Sequence, residues 1–402
     1  MNYKKNVIII VIDAFRTKNL SLYGYEKETD KNIKRIAKEG IWFKEHFSPA
    51  NSTAPSVTSI LTGLYPPNHG ILHQLPYTKE QEIEKIKKVK FWLPSFLKGQ
   101  GYETIAIDWI GEWFKKGFDY YGEGEYSKES TAPFNPAEEI TDLAISKVNQ
   151  SKKPFFLFLH YWDTHFPFPT IKYETAENEK DMKETLDSIK SENQRKYLEL
   201  RIANKGIYTF NSMKEKYDLS IKVTDEQIGR VYDFLKEKNL LNDTIIFILG
   251  DHGMNLTEHE ILFSSSGLYE DSIHTPLIVR LPGFEEKEIN EFVQNIDIVP
   301  TILDFLEFKF DDEFDGKSFI PLIKNNQPTR DKIFSYDGLC EDIVAVRTKN
   351  KKLILAKNNF CNLCKGHHHE KVEEYNLEKD SQETKNIFSG KSELLEFIRG
   401  VK

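Results

Sequence analysis

The chain has 402 residues, of which 39% are hydrophobic and 29% are charged, and its formal net charge is −8. The hydrophobic fraction is sufficient for a large buried core and argues against a disordered chain. The acidic balance provides no basic surface for nucleic acid or anionic lipid. Three cysteines are too few for a disulfide scaffold in a chain of this length.

The N-terminal apolar run Val7–Ile12 is short, consists of Ile and Val, and ends at Asp13. No small-residue cleavage site follows it, so the run is typical of a strand buried on both faces and not of a signal peptide. No stretch of the sequence approaches the ~20 apolar residues that span a bilayer. We therefore expect a cytoplasmic protein without a membrane span.

Apolar, strand-like runs alternate with helical stretches along the chain. The expected strands are Val7–Ile12, Thr104–Asp108, Phe155–His160, Thr244–Leu249 and Leu277–Leu281. The expected helices are Asp30–Glu39, Pro55–Leu61, Trp92–Gly99, Pro136–Gln150, Tyr217–Lys238 and Ile298–Leu306. This alternation predicts an α/β fold with a large, mostly parallel sheet flanked by helices. Asp13, His160 and Asp251 lie at strand ends, where such folds place their sites.

The sequence predicts one large α/β domain, residues 1–328, followed by a small C-terminal α+β subdomain, residues 329–402. Asn, Gln and Pro cluster at Asn325–Arg330 and indicate the boundary. Residues 173–216 are highly charged, and we expect a helical insertion whose polar side chains are solvated. A lid over the site is the alternative interpretation of this insertion.

Two motifs in the first part of the chain each have a functional and a structural interpretation. Asp13 is placed to bind a hard cation, or to cap a helix. The segment Asn51–Gly63 is rich in hydroxyl residues, and Pro55 suits the first turn of a helix. Hydroxyls before Pro55 either stabilise an anion or an ionised nucleophile at the helix N-terminus, or serve as an ordinary N-cap.

Two later motifs are equally open when each is taken alone. Asp251 and His252 precede Gly253, an arrangement that suits two ligands of one metal or a simple tight turn. His160 and His165 flank aromatic residues. They are suited to contact a phosphate or sulfate oxygen or to protonate a leaving group, and the alternative is a pair of buried structural histidines.

The order of the motifs along the chain is more specific than any one of them. The succession is Asp13-x-x-Arg16, Leu20–Tyr25, Asn32–Ile33, Glu39–Gly40, Phe43, Thr53-x-Pro55–Ser56, Leu61–Pro66, His69–Gly70, Phe155–His165, Gly250–Gly253, Leu268–Glu270, His274–Leu277, Glu374–Asp380 and Glu383-x-x-Asn386. This succession closely resembles the sulfatase family of the alkaline-phosphatase superfamily over nearly the whole chain.

The resemblance implies a metal-dependent hydrolase with a defined set of site residues. It assigns the metal ligands Asp13, Asp251, His252 and Thr53. Thr53 stands at the nucleophile position, and His165 corresponds to the residue that contacts the substrate oxyanion or leaving group. Ala14 stands where the family has a second aspartate, so one ligand of the usual set is missing.

The sequence departs from the sulfatase pattern at the nucleophile. Sulfatases carry Cys or Ser there and oxidise it to formylglycine, whereas Thr53 cannot be converted by that route, and Val57 replaces the arginine of the maturation signal. Related phosphodiesterases, phosphonate hydrolases and phosphoryl transferases use a threonine directly and form a covalent intermediate. We therefore expect no formylglycine.

Where the family often has Lys or His, residues 263–267 of this chain offer only hydroxyl groups. The substrate-binding candidates are instead Arg16, His259 and His274.

The metal expected at the predicted site is a single divalent ion. Sulfatases favour Ca²⁺, which prefers oxygen ligands. The loss of a carboxylate at Ala14 and the nitrogen of His252 favour Mn²⁺ or Zn²⁺ instead.

A separate cysteine motif near the C-terminus has the character of a zinc knuckle. Cys361-x-x-Cys364 is followed by His367, and Cys340 supplies a fourth candidate ligand. The alternative is a surface loop with two cytosolic thiols. If a metal binds here, we expect a structural role and not a catalytic one.

We thus expect an enzyme that hydrolyses a sulfate or phosphate ester of a small molecule or glycan through Thr53. One alternative is a catalytically weakened relative that binds an anionic glycan or a partner, because Ala14 and Val57 depart from the family pattern. Another alternative is a phosphoryl-group transferase. The sequence does not indicate an oligomeric state.

Overall fold

The computed structural model describes residues 4–122, 135–152, 154–202, 208–311, 313–340, 342–358 and 360–400. Its strands are β1 Asn6–Ile12, β2 Ile41–Phe43, β3 His46–Phe47, β4 Glu103–Ile107, β5 Tyr120–Gly122, β6 Phe155–Tyr161, β7 Thr244–Gly250, β8 Leu277–Arg280, β9 Lys287–Ile289, β10 Val293–Gln294, β11 Lys332–Tyr336, β12 Ile343–Thr348, β13 Lys351–Ala356 and β14 Val372–Asn376. Its α-helices are α1 Lys31–Ala37, α2 Thr53–Thr62, α3 Pro66–His69, α4 Glu80–Ile86, α5 Leu93–Gly99, α6 Ala137–Gln150, α7 Glu179–Asp187, α8 Glu192–Ile202, α9 Phe210–Glu237, α10 Glu270–Ile273, α11 Ile298–Phe305, α12 Ile320–Asn325 and α13 Leu394–Gly400.

The chain divides into two compact units that interleave in sequence. Unit 1 comprises Met1–Lys44, Trp92–Gly250 and Pro276–Ile289, and unit 2 comprises Glu45–Phe91, Asp251–Thr275 and Asn290–Lys402. The boundary predicted at residue 328 stays a prediction, and the compact units do not follow it.

Unit 1 is built around an eight-stranded sheet with the order β5-β4-β6-β1-β7-β8-β2-β9. Its central strands β6, β1 and β7 are parallel and completely buried. This burial follows from sequence, because long Ile-, Val- and Phe-rich runs suit a strand that is covered on both faces. The mostly parallel α/β sheet is confirmed. β8, however, runs antiparallel to both of its neighbours, a direction that strand composition does not encode.

The helices of unit 1 pack against this sheet and against one another. α6 contacts β4 and β6, while α1 contacts β8, and both helices also pack on the long helix α9. α9 begins at Phe210, seven residues before the predicted start, because Thr209 and Ser212 form a reciprocal cap at its N-terminus. The charged insertion is helical, since α7 and α8 lie within it.

Unit 2 contains two smaller sheets and the helix that bears Thr53. β10 and β3 form a parallel pair, and β11-β12-β13-β14 form an antiparallel sheet. α13 packs on β12 and β13 over a small core of Val346, Leu353, Leu394 and Ile398. This sheet and helix confirm the predicted α+β character of the C-terminal part.

No helix of the described residues combines the length and the apolar character that crossing a membrane requires.

Candidate active site

Thr53 is the first residue of α2, a ten-residue helix that is buried throughout. The helix begins two residues before the predicted start at Pro55. A proline fits within the first turn because the first N–H groups of a helix have no partner inside it. Gly63 ends the helix in the left-handed conformation, with φ of 73°. Thr53 is 3% exposed, so its hydroxyl is held at the N-terminus of a rigid, buried element.

Asp251 and His252 follow β7 directly, as their sequence pattern predicts. Asp251 Oδ1 accepts a hydrogen bond from the backbone N–H of His252 at 2.7 Å. His252 Nδ1 lies 2.8 Å from the carbonyl oxygen of Gly253. Because a carbonyl only accepts, Nδ1 carries the ring proton, and Nε2 presents its lone pair.

The three lone-pair atoms of Thr53, Asp251 and His252 face one another. His252 Nε2 is 3.2 Å from Thr53 Oγ1 and 3.5 Å from Asp251 Oδ2. A hydroxyl oxygen, a carboxylate oxygen and an imidazole nitrogen form a donor set that fits a divalent cation. We call these three residues the Thr53 cluster.

Two polar side chains, of which the sequence singled out only Ser56, hold the Thr53 cluster together. Ser56 Oγ donates to the carbonyl oxygen of Asp251 at 2.7 Å. Asn295 Nδ2 donates to the same carbonyl at 3.2 Å and to Ser56 Oγ at 2.9 Å. Ser56 belongs to the Thr-x-Pro-Ser motif, but nothing in the sequence around Asn295 indicates this contact. These bonds fasten the Asp251 backbone to α2 one turn after Thr53.

In unit 1, Asp13 follows β1 and is fully buried. Its backbone N–H donates to the carbonyl of Tyr161 at 3.0 Å, and its own carbonyl accepts from Thr164 Oγ1 at 2.5 Å. The backbone around Asp13 is thus fixed by two neighbours. Its role as a metal ligand stays a prediction.

Ala14, which stands where the family has a second aspartate, adopts a left-handed φ of 50°. Such a conformation costs a non-glycine residue on the order of 1–3 kcal/mol and is found where the surroundings hold it in place. Tyr217 supplies that support, because its hydroxyl donates to the Ala14 carbonyl at 2.7 Å and accepts from the Arg16 N–H at 3.3 Å. Burial raises the pKa of Tyr217, so the hydroxyl stays neutral and able to donate.

His165 lies beyond the end of β6 in a tight turn, where its N–H donates to the carbonyl of Trp162 at 2.9 Å. Its ring stands 6.0 Å from the Trp162 ring. Asp163, in the same turn, accepts from Thr170 at 2.7 Å, and burial raises its pKa to about 6. His160 Nδ1 lies 2.9 Å from Asp108 Oδ1, with both side chains buried. His160 therefore fits the structural interpretation, while the catalytic role of His165 stays a prediction.

The structure places His259 and His274 against other aromatic rings of unit 2. His259 stacks on Tyr269 at 3.6 Å and lines a cleft of about 910 Å³, whose lining residues do not include the Thr53 cluster. His274 stacks on Phe47 at 4.7 Å. Their substrate contacts stay predictions, as does that of Arg16, which is 4% exposed in unit 1.

The cysteine motif forms a second cluster in unit 2. Ligand atoms of Cys361, Cys364 and His368 lie within 4.8 Å of one another. The histidine is therefore His368 and not the predicted His367, which is exposed and pairs through its backbone with Phe360. Three histidines in succession gave no signal in the sequence for choosing among them.

Comparison with known proteins assigns the chain to a family. The family model described as Sulfatase matches residues 5–308. The chain belongs to the sulfatase family of ester hydrolases. A second model, described as N-sulphoglucosamine sulphohydrolase, C-terminal, matches residues 257–399.

Individual relatives of this sulfatase-family chain are distant. It is 26% identical to an ulvan-active sulfatase of Formosa agariphila over 374 residues, which covers 83% of this chain and 57% of that protein. The chain thus spans little more than half the length of that relative. It is also 26% identical to an N-acetylglucosamine-6-O-sulfatase of Bacteroides thetaiotaomicron, covering 97% of this chain and 83% of the relative.

A solved structure extends the likeness to the fold. The phosphonate monoester hydrolase of Agrobacterium radiobacter superposes with a TM-score of 0.70 at 18% identity, covering 99% of this chain and 94% of that one. The likeness confirms an alkaline-phosphatase-like fold for this chain.

Proposed function

We propose that the chain is a metal-dependent hydrolase of phosphate or sulfate esters in which Thr53 is the nucleophile. The observation that carries the proposal is the approach of Thr53 Oγ1 to His252 Nε2 at 3.2 Å, at the N-terminus of a buried helix. A helix N-terminus favours an anion through its exposed N–H groups and its dipole. This position supports the proposal, because it favours both a negatively charged substrate and an ionised hydroxyl.

The residues proposed to hold the metal are Asp251, His252 and Thr53, with Asp13 as the further ligand that the family pattern predicts. When bound, a divalent cation would lower the pKa of the hydroxyl and neutralise charge on the ester oxygens. The mixed oxygen and nitrogen donors favour Mn²⁺ or Zn²⁺ over Ca²⁺. Ser56 and Asn295 would then act as positioning residues, because they fix the backbone of Asp251.

The proposed reaction has two steps that meet at Thr53 Oγ1. In the first, Oγ1 gives up its proton to water and forms a bond to phosphorus or sulfur while the bond to the ester oxygen breaks. The departing alcohol takes up a proton, and we propose that His165 supplies it, because the family pattern predicts that His165 contacts the substrate oxyanion or leaving group. In the second step, water cleaves the threonine ester and restores the hydroxyl.

Two substrate classes agree with the relatives and with the residues. The N-acetylglucosamine-6-O-sulfatase relative supports a sulfate ester of a sugar. Thr53 and Val57, together with the phosphonate monoester hydrolase fold, support a phosphorus ester, because neither residue suits the formylglycine route. A panel of aryl sulfates, phosphate monoesters, phosphodiesters and phosphonate esters, each assayed with Ca²⁺, Mn²⁺ and Zn²⁺, decides between the classes.

The central test is the Thr53→Ala variant. Removing a covalent nucleophile lowers kcat on the order of 10⁴–10⁶-fold, so we expect turnover to fall to background while the fold is retained. Thr62→Ala is the matched control, since Thr62 lies on the same helix and its hydroxyl bonds only backbone groups: it donates to the carbonyl of Thr58 at 2.7 Å and accepts from the N–H of Leu64 at 3.3 Å. Full activity of Thr53→Ala would refute the proposal. Absence of turnover by the wild type across the panel, without metal binding, would favour a non-catalytic binding protein.

A further inference from the structure

All three cysteines of the chain meet in unit 2, and none belongs to the Thr53 cluster. Cys340 and Cys361 are fully buried and Cys364 is 4% exposed. Cys364 Sγ lies 3.0 Å from His368 Nε2. Cys340 pairs with Cys361 through an antiparallel backbone bridge. The ligand atoms of Cys361, Cys364 and His368 lie within 4.8 Å of one another.

The backbone between the cysteines is folded into a tight turn. The N–H of Lys365 donates to the carbonyl of Cys361 at 3.0 Å, and the N–H of Cys361 donates to the carbonyl of Gly366 at 2.8 Å. Lys365 adopts a left-handed φ of 60° to close this turn. The N–H of Asn362 donates to the carbonyl of Leu339 at 2.8 Å, which joins the turn to the segment that carries Cys340. Two separate segments thus converge on one group of sulfur atoms.

We propose that Cys340, Cys361, Cys364 and His368 bind a structural Zn²⁺ ion. Three thiolates and one imidazole form one of the ligand sets that zinc takes in closed, four-coordinate structural sites. A disulfide would join only two of the three sulfur atoms and would leave a buried thiol and the half-buried imidazole beside it. We call these four residues the thiol cluster.

The neighbouring histidines show why His368 completes the set. His367 is exposed, and its ring meets the Phe360 ring edge-on at 5.7 Å. His369 Nδ1 lies 3.0 Å from Glu373 Oε2, and its Nε2 accepts from the Leu268 N–H at 3.2 Å. Only His368 of the three directs a ring nitrogen at a cysteine sulfur in the described contacts.

The segment held by the thiol cluster also contacts the residues just before Thr53. The N–H of Gly338 donates to Asn51 Oδ1 at 2.8 Å. A Cβ at residue 338 would come within 2.0 Å of Ser52 Oγ and 3.2 Å of Ser52 Cβ, so the backbone of Gly338 packs directly against Ser52. Asn51 Nδ2 in turn donates to the carbonyl of Gly267 at 3.1 Å, and Ser266 Oγ lies 3.4 Å from Cys361 Sγ.

The zinc would therefore brace the turn that presents Thr53. This second part of the inference rests on the proposed function, whereas the metal site itself does not. Misplacement of a reacting group by about 1 Å costs roughly 100-fold in rate, which sets the size of the expected effect.

The test measures zinc in the full-length protein after dialysis against a chelator, by elemental analysis and by release to a chromophoric indicator on thiol modification. We expect one zinc per chain in the wild type and in His367→Ala. We expect none in Cys364→Ser or His368→Ala, and restored zinc in His368→Cys, which offers four thiolates. Cobalt in place of zinc should give the intense absorption of tetrahedral thiolate coordination.

Activity separates the two parts of the inference. With the best substrate of the panel, kcat should fall about 100-fold in His368→Ala and recover in His368→Cys, with His367→Ala unchanged. Thr53→Ala should lose turnover yet keep its zinc, so failure of the proposed function leaves the zinc measurement intact. Three titratable thiols without zinc, or a disulfide found by mass spectrometry of the purified protein, would overturn the proposal. Unchanged kcat in zinc-free His368→Ala would overturn the bracing role.

Discussion

The Thr53 cluster and the thiol cluster are two candidate metal sites in the same unit, built from opposite chemistry. The Thr53 cluster offers a hydroxyl, a carboxylate and an imidazole at the start of a helix. The thiol cluster offers three sulfur atoms and one imidazole, which is the number of ligands that a closed structural zinc site uses. A catalytic metal keeps a position open for water or substrate, whereas a structural zinc does not. Ligand number and type thus support the proposals of a reaction at the first cluster and of a structural role for the second.

A third buried group in unit 2 shows how the chain neutralises carboxylates without a metal. Lys352 is fully buried, and its Nζ lies 3.2 Å from Glu270 Oε1 and 2.8 Å from Glu383 Oε1. Arg347 Nε lies 3.2 Å from Glu270 Oε2. Burial opposes ionisation of Glu270, but the charges of Arg347 and Lys352 prevail and lower its pKa to about 2. Protein cations occupy the place that a metal would take, so these carboxylates are not candidate ligands.

The largest expected effect comes from removing one ligand from each cluster in two separate variants. Asp251→Asn removes one carboxylate charge from the Thr53 cluster, and we expect activity to fall about 10³-fold, as when a charge-stabilising group is lost from an active site. The same variant should keep the zinc of the thiol cluster. Cys364→Ser should have the opposite effect on metal binding. It should lose the zinc of the thiol cluster and still bind a divalent ion at the Thr53 cluster.

Calorimetric metal titration and elemental analysis measure which metal each variant binds and how much of it. If Asp251→Asn and Cys364→Ser lose the same metal, the two clusters are not independent sites, and the contrast between them fails.

The next largest effect concerns the buried lysine. Lys352→Met leaves Glu270 and Glu383 buried without their shared cation, and breaking a buried pair in this way costs about 3–5 kcal/mol of unfolding free energy. Lys351→Met is the matched control, because Lys351 lies on the same strand and pairs with the exposed Glu393 at 3.0 Å. The control should change stability by less than about 0.5 kcal/mol.

Denaturant unfolding at pH 7, followed by fluorescence, compares the two lysine variants. Equal denaturant midpoints for Lys352→Met and Lys351→Met would show that Lys352 contributes no more stability than a surface ion pair. Lys352 would then not replace a metal as the cation that neutralises these carboxylates.

The contrast between the clusters also marks what the sequence could predict. β1, β6 and β7 are long apolar runs, so composition alone identified them as buried strands. Thr53, Asp251 and His252 were found because their motifs occur in a family order. Neither strand composition nor motif order identified Asn295 or Lys352. The role of a single polar residue becomes visible only when the fold brings it to its partners.

Two features that the sequence analysis did not resolve have the same physical origin. β8 has the composition of a buried strand, but its antiparallel direction depends on which neighbours it pairs with. His367 and His368 are adjacent and chemically identical, and only the turn around Lys365 decides which ring faces the sulfur atoms. Composition specifies that an element is buried or that a ligand type is present, whereas direction and choice of partner are set by tertiary packing.

The smallest expected effect is a pH dependence of stability that arises from Glu383. Burial raises the pKa of Glu383 to about 7, against the attraction of Lys352, while glutamates in an unfolded chain titrate near 4.3. The folded chain therefore holds this proton more tightly than the unfolded chain does, so deprotonation destabilises the fold as the pH rises from about 4.3 to 7. Glu383→Gln cannot lose the proton. The unfolding free energy of the wild type minus that of Glu383→Gln should thus decrease across this window and stay constant above it.

Denaturant unfolding at several pH values measures the difference, with the exposed Glu393→Gln as the control that should show no such trend. A difference that instead grows with pH would mean that ionised Glu383 is stabilised by Lys352. Lys352 would then neutralise the carboxylates of both Glu270 and Glu383 as fully as a divalent metal does. A lysine and a metal at such a group would then differ only in the geometry with which they contact the carboxylates.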